Sequence, residues 1–178
     1  IEQPELDVRR LPSGRLEVAG LELFSGPSDP EAPSPAMDWL FAQTELVIRG
    51  GQLHWTDDLQ QRPRLTLNNV DLVVRNSGWQ HLLRLDASPA DDASARVSLR
   101  ADMRSPFLSL HPGRWTDWRG TAYAELPAVD LARLASPGRL AELLGLTISS
   151  GQGAMRLWLD MQGGQINGGT ADLALTHV

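Results

Sequence analysis

Between Thr44 and Ala87 apolar side chains recur at every second position, and no other feature constrains the fold of this chain as much. Leu46/Ile48, Leu53/Trp55, Leu65/Leu67, Val70/Leu72/Val74 and Leu83/Leu85 are interleaved with Arg, Gln, Asn, Thr or Asp at many positions. That is the period of a strand with one face buried and one face wet. Gly50-Gly51, Thr56 to Pro63 and Asn76-Ser77-Gly78 carry turn chemistry, so the stretch reads as four short strands of a β-meander. The phase slips once, at Asn68-Asn69, where a bulge would return both flanking runs to one face.

The same alternation extends outward. Leu6/Val8, then Leu16/Val18 with Leu21/Leu23, flank the turn Leu11-Pro12-Ser13-Gly14 and predict a hairpin. Residues 25–35, SGPSDPEAPSP, form a Pro- and Ser-rich loop. Residues 37–43 lack alternation and predict one or two helical turns capping the sheet, with Trp39 against an apolar face. Val97, Leu99, Ala101 and Met103 mark the clearest single strand, and Trp118 to Leu126 another, which Pro127 is expected to break. Ala128 to Leu144 predicts two short helices cut by Pro137-Gly138, with Gly145 as a C-cap. A strand over 147–161, the Gly163-Gly164 turn and a last run from Ile166 to Leu175 complete the chain. Arg64 to Val74 loosely echoes Gln165 to Leu175, each preceded by a Gly, Trp and Asp (Gly51, Trp55, Asp57; Gly153, Trp158, Asp160), which suggests a sheet built by repetition.

The 178 residues suit a single β-rich segment with a real core. The chain opens on Ile1 and closes on Val178 directly after a strand-like run, so it is expected to be part of something longer. A net charge of -6, with every basic residue an Arg and none clustered, argues against a nucleic-acid partner. The absence of Cys excludes disulfides and thiolate metal sites. No stretch approaches the roughly 20 apolar residues of a membrane helix.

Candidate chemistry is sparse. His54, His81, His111 and His177 are far apart in sequence and lack a partner carboxylate at motif spacing, so strand-face or surface histidine is the plainer reading. Asp57-Asp58 and Asp91-Asp92 lack the ligand spacing of a Ca²⁺ loop and read as turn residues. The Gly-rich stretch 145–153 leads into a strand, which leaves no helix N-terminus to hold a phosphate. No nucleophile, P-loop or dinucleotide fingerprint occurs. The expectation is a non-enzymatic protein without metal or cofactor. Six Trp could offer a sugar-stacking surface, though core or edge cover accounts for most of them. The apolar stripes either fill a closed sandwich or line an open groove that takes a ligand or partner.

Met37 to Gln43, Gly51 to Asp57, Leu67 to Leu72 and Asn76-Ser77-Gly78 resemble, in order and spacing, the AsmA-like proteins of the YhdP type. Asp117 to Gly120, Ala124 to Pro127, Gly151 to Asp160 and Ala171 to Leu175 are similar to the same family, so the resemblance covers most of residues 37–178. It implies repeated β-strands forming a long taco-like groove with an apolar interior. With the residue patterns above, the expected fold is mainly β, an antiparallel meander of long strands forming a curved, taco-like sheet or groove, with short helices at about 37–43 and 128–144. It further implies a segment of a periplasmic protein held in the inner membrane by an anchor outside this chain. The implied partner is phospholipid, whose acyl chains such a groove shields between inner and outer membranes; other envelope proteins are further possible partners. Leu83, Leu85, Val97, Leu99, Leu157, Leu159, Leu173 and Leu175 are the expected lining residues. The alternatives are a structural or protein-interaction β module in envelope assembly and, less favoured, a carbohydrate-binding β-sandwich.

Overall fold

The structure, a computed structural model, describes residues 1–24, 34–130 and 152–176. Ten strands form one open sheet: β1 (Glu5–Arg10), β2 (Leu16–Val18), β3 (Leu21–Phe24), β4 (Glu45–Asp57), β5 (Arg62–Ser77), β6 (Gln80–Pro89), β7 (Val97–Arg104), β8 (Arg119–Asp130), β9 (Gln152–Gln162) and β10 (Gln165–Thr176). The spatial order is β10-β9-β8-β7-β6-β5-β4-β1-β2-β3, which leaves β3 and β10 as edges. From β4 to β10 every neighbour is antiparallel and consecutive, as a meander requires. β1 breaks the pattern by pairing parallel to β4, Leu6 opposite Leu53 and Val8 opposite Trp55, so the sheet is mixed.

The central stretch folds as three long strands rather than four short ones. Gly50-Gly51 is a kink inside β4, not a turn: Gly50 sits at φ +60° and the register to β5 shifts between Ile48 and Gly51. Glycine takes that conformation without a Cβ penalty, and the Asp71 carboxylate accepts the Gly50 N–H at 3.0 Å. The slip at Asn68-Asn69 is the expected bulge. Asn69 is left-handed at φ +50°, the register to β6 shifts between Asn68 and Asp71, and Leu67 and Val70 reach the same face. Pro127 does not end its strand: β8 runs through it to Asp130, with a register shift between Leu126 and Val129 that accommodates the missing N–H. Of the helices expected over 128–144, residues 128–130 are strand and the remainder lies outside the described residues, as does the start of the 147–161 strand.

One helix, α1 (Pro35–Ala42), precedes β4. Ser34 caps it by accepting the Met37 N–H, and Pro35 occupies the first turn, where its missing donor costs nothing. Its buried residue is Met37; Trp39, expected against the sheet, is exposed. The β4–β5 and β9–β10 hairpins sit where the sequence echo placed them, but Trp55 shares a face with Leu53 whereas Trp158 points away from Leu157. The echo therefore holds for the hairpin and not for its side chains.

Candidate functional site

The register sorts the chain into an aliphatic and a polar face. Across seven strands the aliphatic face carries the row Ile48–Leu72–Leu85–Leu99–Ala124–Leu157–Ala171 in direct register. Beside it runs Leu46–Val74–Leu83–Ala101–Ala122–Leu159–Gly169. At about 4.8 Å per strand, six intervals make a strip about 29 Å long. All eight residues singled out from the sequence lie on this face, since Val97 pairs with Ala87, Leu173 with Met155 and Leu175 with Gly153. Leu157 is 4% exposed, Leu175 is open to solvent, and the other six are half-buried. β8 contributes Gly120, Ala122 and Ala124 here, and these small side chains lower the floor beside Leu99 of β7 and Leu157 and Leu159 of β9.

One end of the aliphatic face is closed. α1 and the segment between β7 and β8 pack over His81, Asn76 and Met103, which sit at the strand ends on that face. Phe41 meets the rings of His81 and Trp118 edge-on, at 5.2 and 4.6 Å. The Asn76 amide donates to the carbonyls of Leu40 and Gln43, tying the helix end to β5. Asp38 accepts the Gly113 N–H at 2.8 Å and meets His111 Nδ1 at 3.0 Å, which locks α1 to the β7–β8 segment. His81 bridges Asn76 Oδ1 and Ser105 Oγ, and burial lowers its pKa below the ordinary imidazole value.

The polar face holds a hollow of about 800 Å³ over β5 to β10. One row crosses it, Val73–Arg84–Arg100–Tyr123–Trp158–Thr170. Leu83 and Leu159 alone of the eight expected lining residues border it, where their strands form its floor. Alternation specifies which side chains share a face but not how the sheet bends, so no sequence signal marked this hollow. Tyr123 donates to Glu125, which also pairs with Arg156. Burial, followed by the Glu125 carboxylate, raises the Tyr123 pKa. Trp39, Trp79 and Trp158 are exposed, Trp55 and Trp115 are half-buried, and Trp118 is buried.

The remaining candidates are structural. Asp57 accepts the Gln60 N–H and Asp92 the Ser94 N–H and hydroxyl, as turn residues do. His177 lies outside the described residues, and among those described no cluster of His, Asp and Glu could hold a metal ion. Likewise no helix among them is long and apolar enough to cross a membrane.

Comparison with known families finds one family model, described as "YhdP protein", matching residues 1–178. No curated protein and no solved structure matches the chain.

Proposed function

The chain belongs to the YhdP family of bacterial envelope proteins, and from that premise we propose that its aliphatic face shields phospholipid acyl chains as one segment of a periplasmic groove between inner and outer membranes. The observation that carries the reading is the continuity of the two aliphatic rows across seven strands of an open sheet. Each methylene withdrawn from water onto such a surface contributes about 0.8 kcal/mol, so a chain is held without a shaped pocket. Shielding of this kind is passive and needs no catalytic group. Headgroups remain in water.

Native mass spectrometry of the 178-residue chain, followed by lipid extraction, tests this. The expected result is phospholipid bound at reproducible stoichiometry and lost in Leu99→Asp and Leu159→Asp. Both positions are half-buried, and circular dichroism checks that the variants fold. A clean apo mass without uptake of added lipid, or uptake unchanged in both folded variants, overturns the reading.

A second reading is favoured by one observation, the presence of Trp158 and Tyr123 in the hollow of the polar face, their ring centroids 5.3 Å apart. Aromatic rings at an open hollow stack against sugars. Quenching of tryptophan fluorescence by oligosaccharides, abolished in Trp158→Ala, would support it; unchanged emission would remove it.

A further inference from the structure

The row Gln80–Arg104–Arg119–Gln162 marks the end of the sheet at which β6 and β8 start and β7 and β9 finish. Beyond it project the turn carrying Trp79 and the segment Phe107-Leu108-Ser109-Leu110. Phe107, Leu108 and Leu110 are 72%, 84% and 91% exposed. Trp79 meets Phe107 edge-on at 4.9 Å, and its carbonyl accepts the Ser105 N–H, so turn and loop form one projection. Exposed Trp39 on α1 neighbours Asp38, whose carboxylate holds Gly113 and His111 of the same loop. Isolated exposed apolar residues are ordinary, but a cluster of large ones on one projection implies something that covers it.

Charge at this end narrows what that is. Arg104 and Arg119 stand directly opposite each other, both exposed, and neither makes an ion pair or side-chain hydrogen bond among the described residues. Like charges directly opposite across a ladder destabilise a sheet unless an anion lies between them. Of the carboxylates at this end, Asp102 accepts from Gln80, Asp117 lies 3.8 Å from Arg114 and Asp38 is paired with His111, while Asp160, diagonal to Arg119 on the same face, makes no ion pair with it. Aromatic and aliphatic side chains beside unpaired arginines match a layer that is apolar inside and anionic at its surface.

We infer that this end of the sheet docks on an anionic phospholipid bilayer, Phe107, Leu108 and Leu110 entering the headgroup boundary while Arg104 and Arg119 engage phosphates. Docking here is separate from acyl-chain shielding on the aliphatic face and does not depend on it.

Cosedimentation of the 178-residue chain with vesicles tests the inference, using phosphatidylglycerol–phosphatidylethanolamine vesicles against pure phosphatidylcholine. Binding to the anionic vesicles is expected, weakened roughly tenfold or more in the combined Phe107→Ser, Leu108→Ser and Leu110→Ser variant. Arg104→Gln with Arg119→Gln is expected to remove the preference for anionic vesicles by a similar factor. All five side chains are exposed, so the variants keep the fold, as circular dichroism verifies. Leu99→Asp should leave docking intact, which separates failure here from failure of the shielding reading. Absence of vesicle binding, or binding that neither variant set weakens, overturns the inference. So does a wild-type dimer that the apolar variant converts to monomer without any vesicle binding, since the cover is then a second copy.

Discussion

The His81 imidazole lies flat against the Trp118 indole, with ring centroids 4.3 Å apart and planes 10° from parallel. The two are the hub of the cap that closes the aliphatic face, and burial holds the imidazole neutral. The unfolded chain takes up this proton near the ordinary value of 6.5, whereas the folded chain resists it. Protons therefore favour unfolding, and the contribution of His81 to stability is lost as pH falls below about 6.5. The urea midpoint should drop between about pH 7 and pH 5 more steeply in the native chain than in His81→Phe. Other titrating groups are common to both proteins, so the difference in slope isolates His81. Parallel slopes would show that the ring is not buried neutral.

Gly113 sets how closely the β7–β8 segment approaches α1. A Cβ at this position would lie 2.4 Å from the carbonyl carbon of Met37 and 2.5 Å from the backbone nitrogen of Asp38. Backbone cannot yield as a flexible side chain does, so helix and loop must separate. Gly113→Ala is expected to cost about 1–3 kcal/mol in chemical denaturation, with red-shifted tryptophan emission as Trp118 becomes hydrated. Wild-type stability in the variant would mean that the cap is loosely seated.

These two residues show where reading the sequence reaches its limit. Period-two alternation carried the strands, the Asn69 bulge and the common face of Leu99 and Leu157, because pleat and parity are local properties. Gly50-Gly51 resembled a turn because a left-handed glycine serves turns and bulges equally well. The parallel pairing of Leu6 with Leu53 joins segments far apart in sequence and leaves no local trace. Trp39 was expected inside on hydrophobicity, but helix phase gives the buried position to Met37. Phe107, Leu108 and Leu110 lie between two strand-like runs without alternation of their own, and their exposure is a tertiary property that periodicity does not encode.

Asn69 offers a sharper test of the bulge. Its φ of +50° is tolerated by Asn and Gly but strained for a β-branched residue. Asn69→Gly should change stability by no more than about 0.5 kcal/mol, and Asn69→Val should destabilise by about 1–3 kcal/mol. Equal effects of the two in urea denaturation would place the register shift elsewhere in β5.

On the polar face, the buried Asp86 carboxylate depends on its neighbours. Burial pushes its pKa up, but the Ser98 hydroxyl at 2.6 Å and the Arg84 guanidinium at 2.7 Å outweigh burial and hold it below 3.8. A folded-state pKa below the unfolded one means stability that is present above that value and lost as pH falls through the folded pKa. Ser98→Ala removes the first of these supports, leaving the Arg84 and Arg96 charges. It should raise the Asp86 pKa in a carboxyl NMR titration and move the onset of acid unfolding to higher pH. At neutral pH the lost bond to a charged acceptor should cost about 1–3 kcal/mol. If the Asp86 resonance titrates unchanged in the variant, Arg84 and Arg96 set the charge state. The Ser98 hydroxyl would then serve only to fill space between β6 and β7.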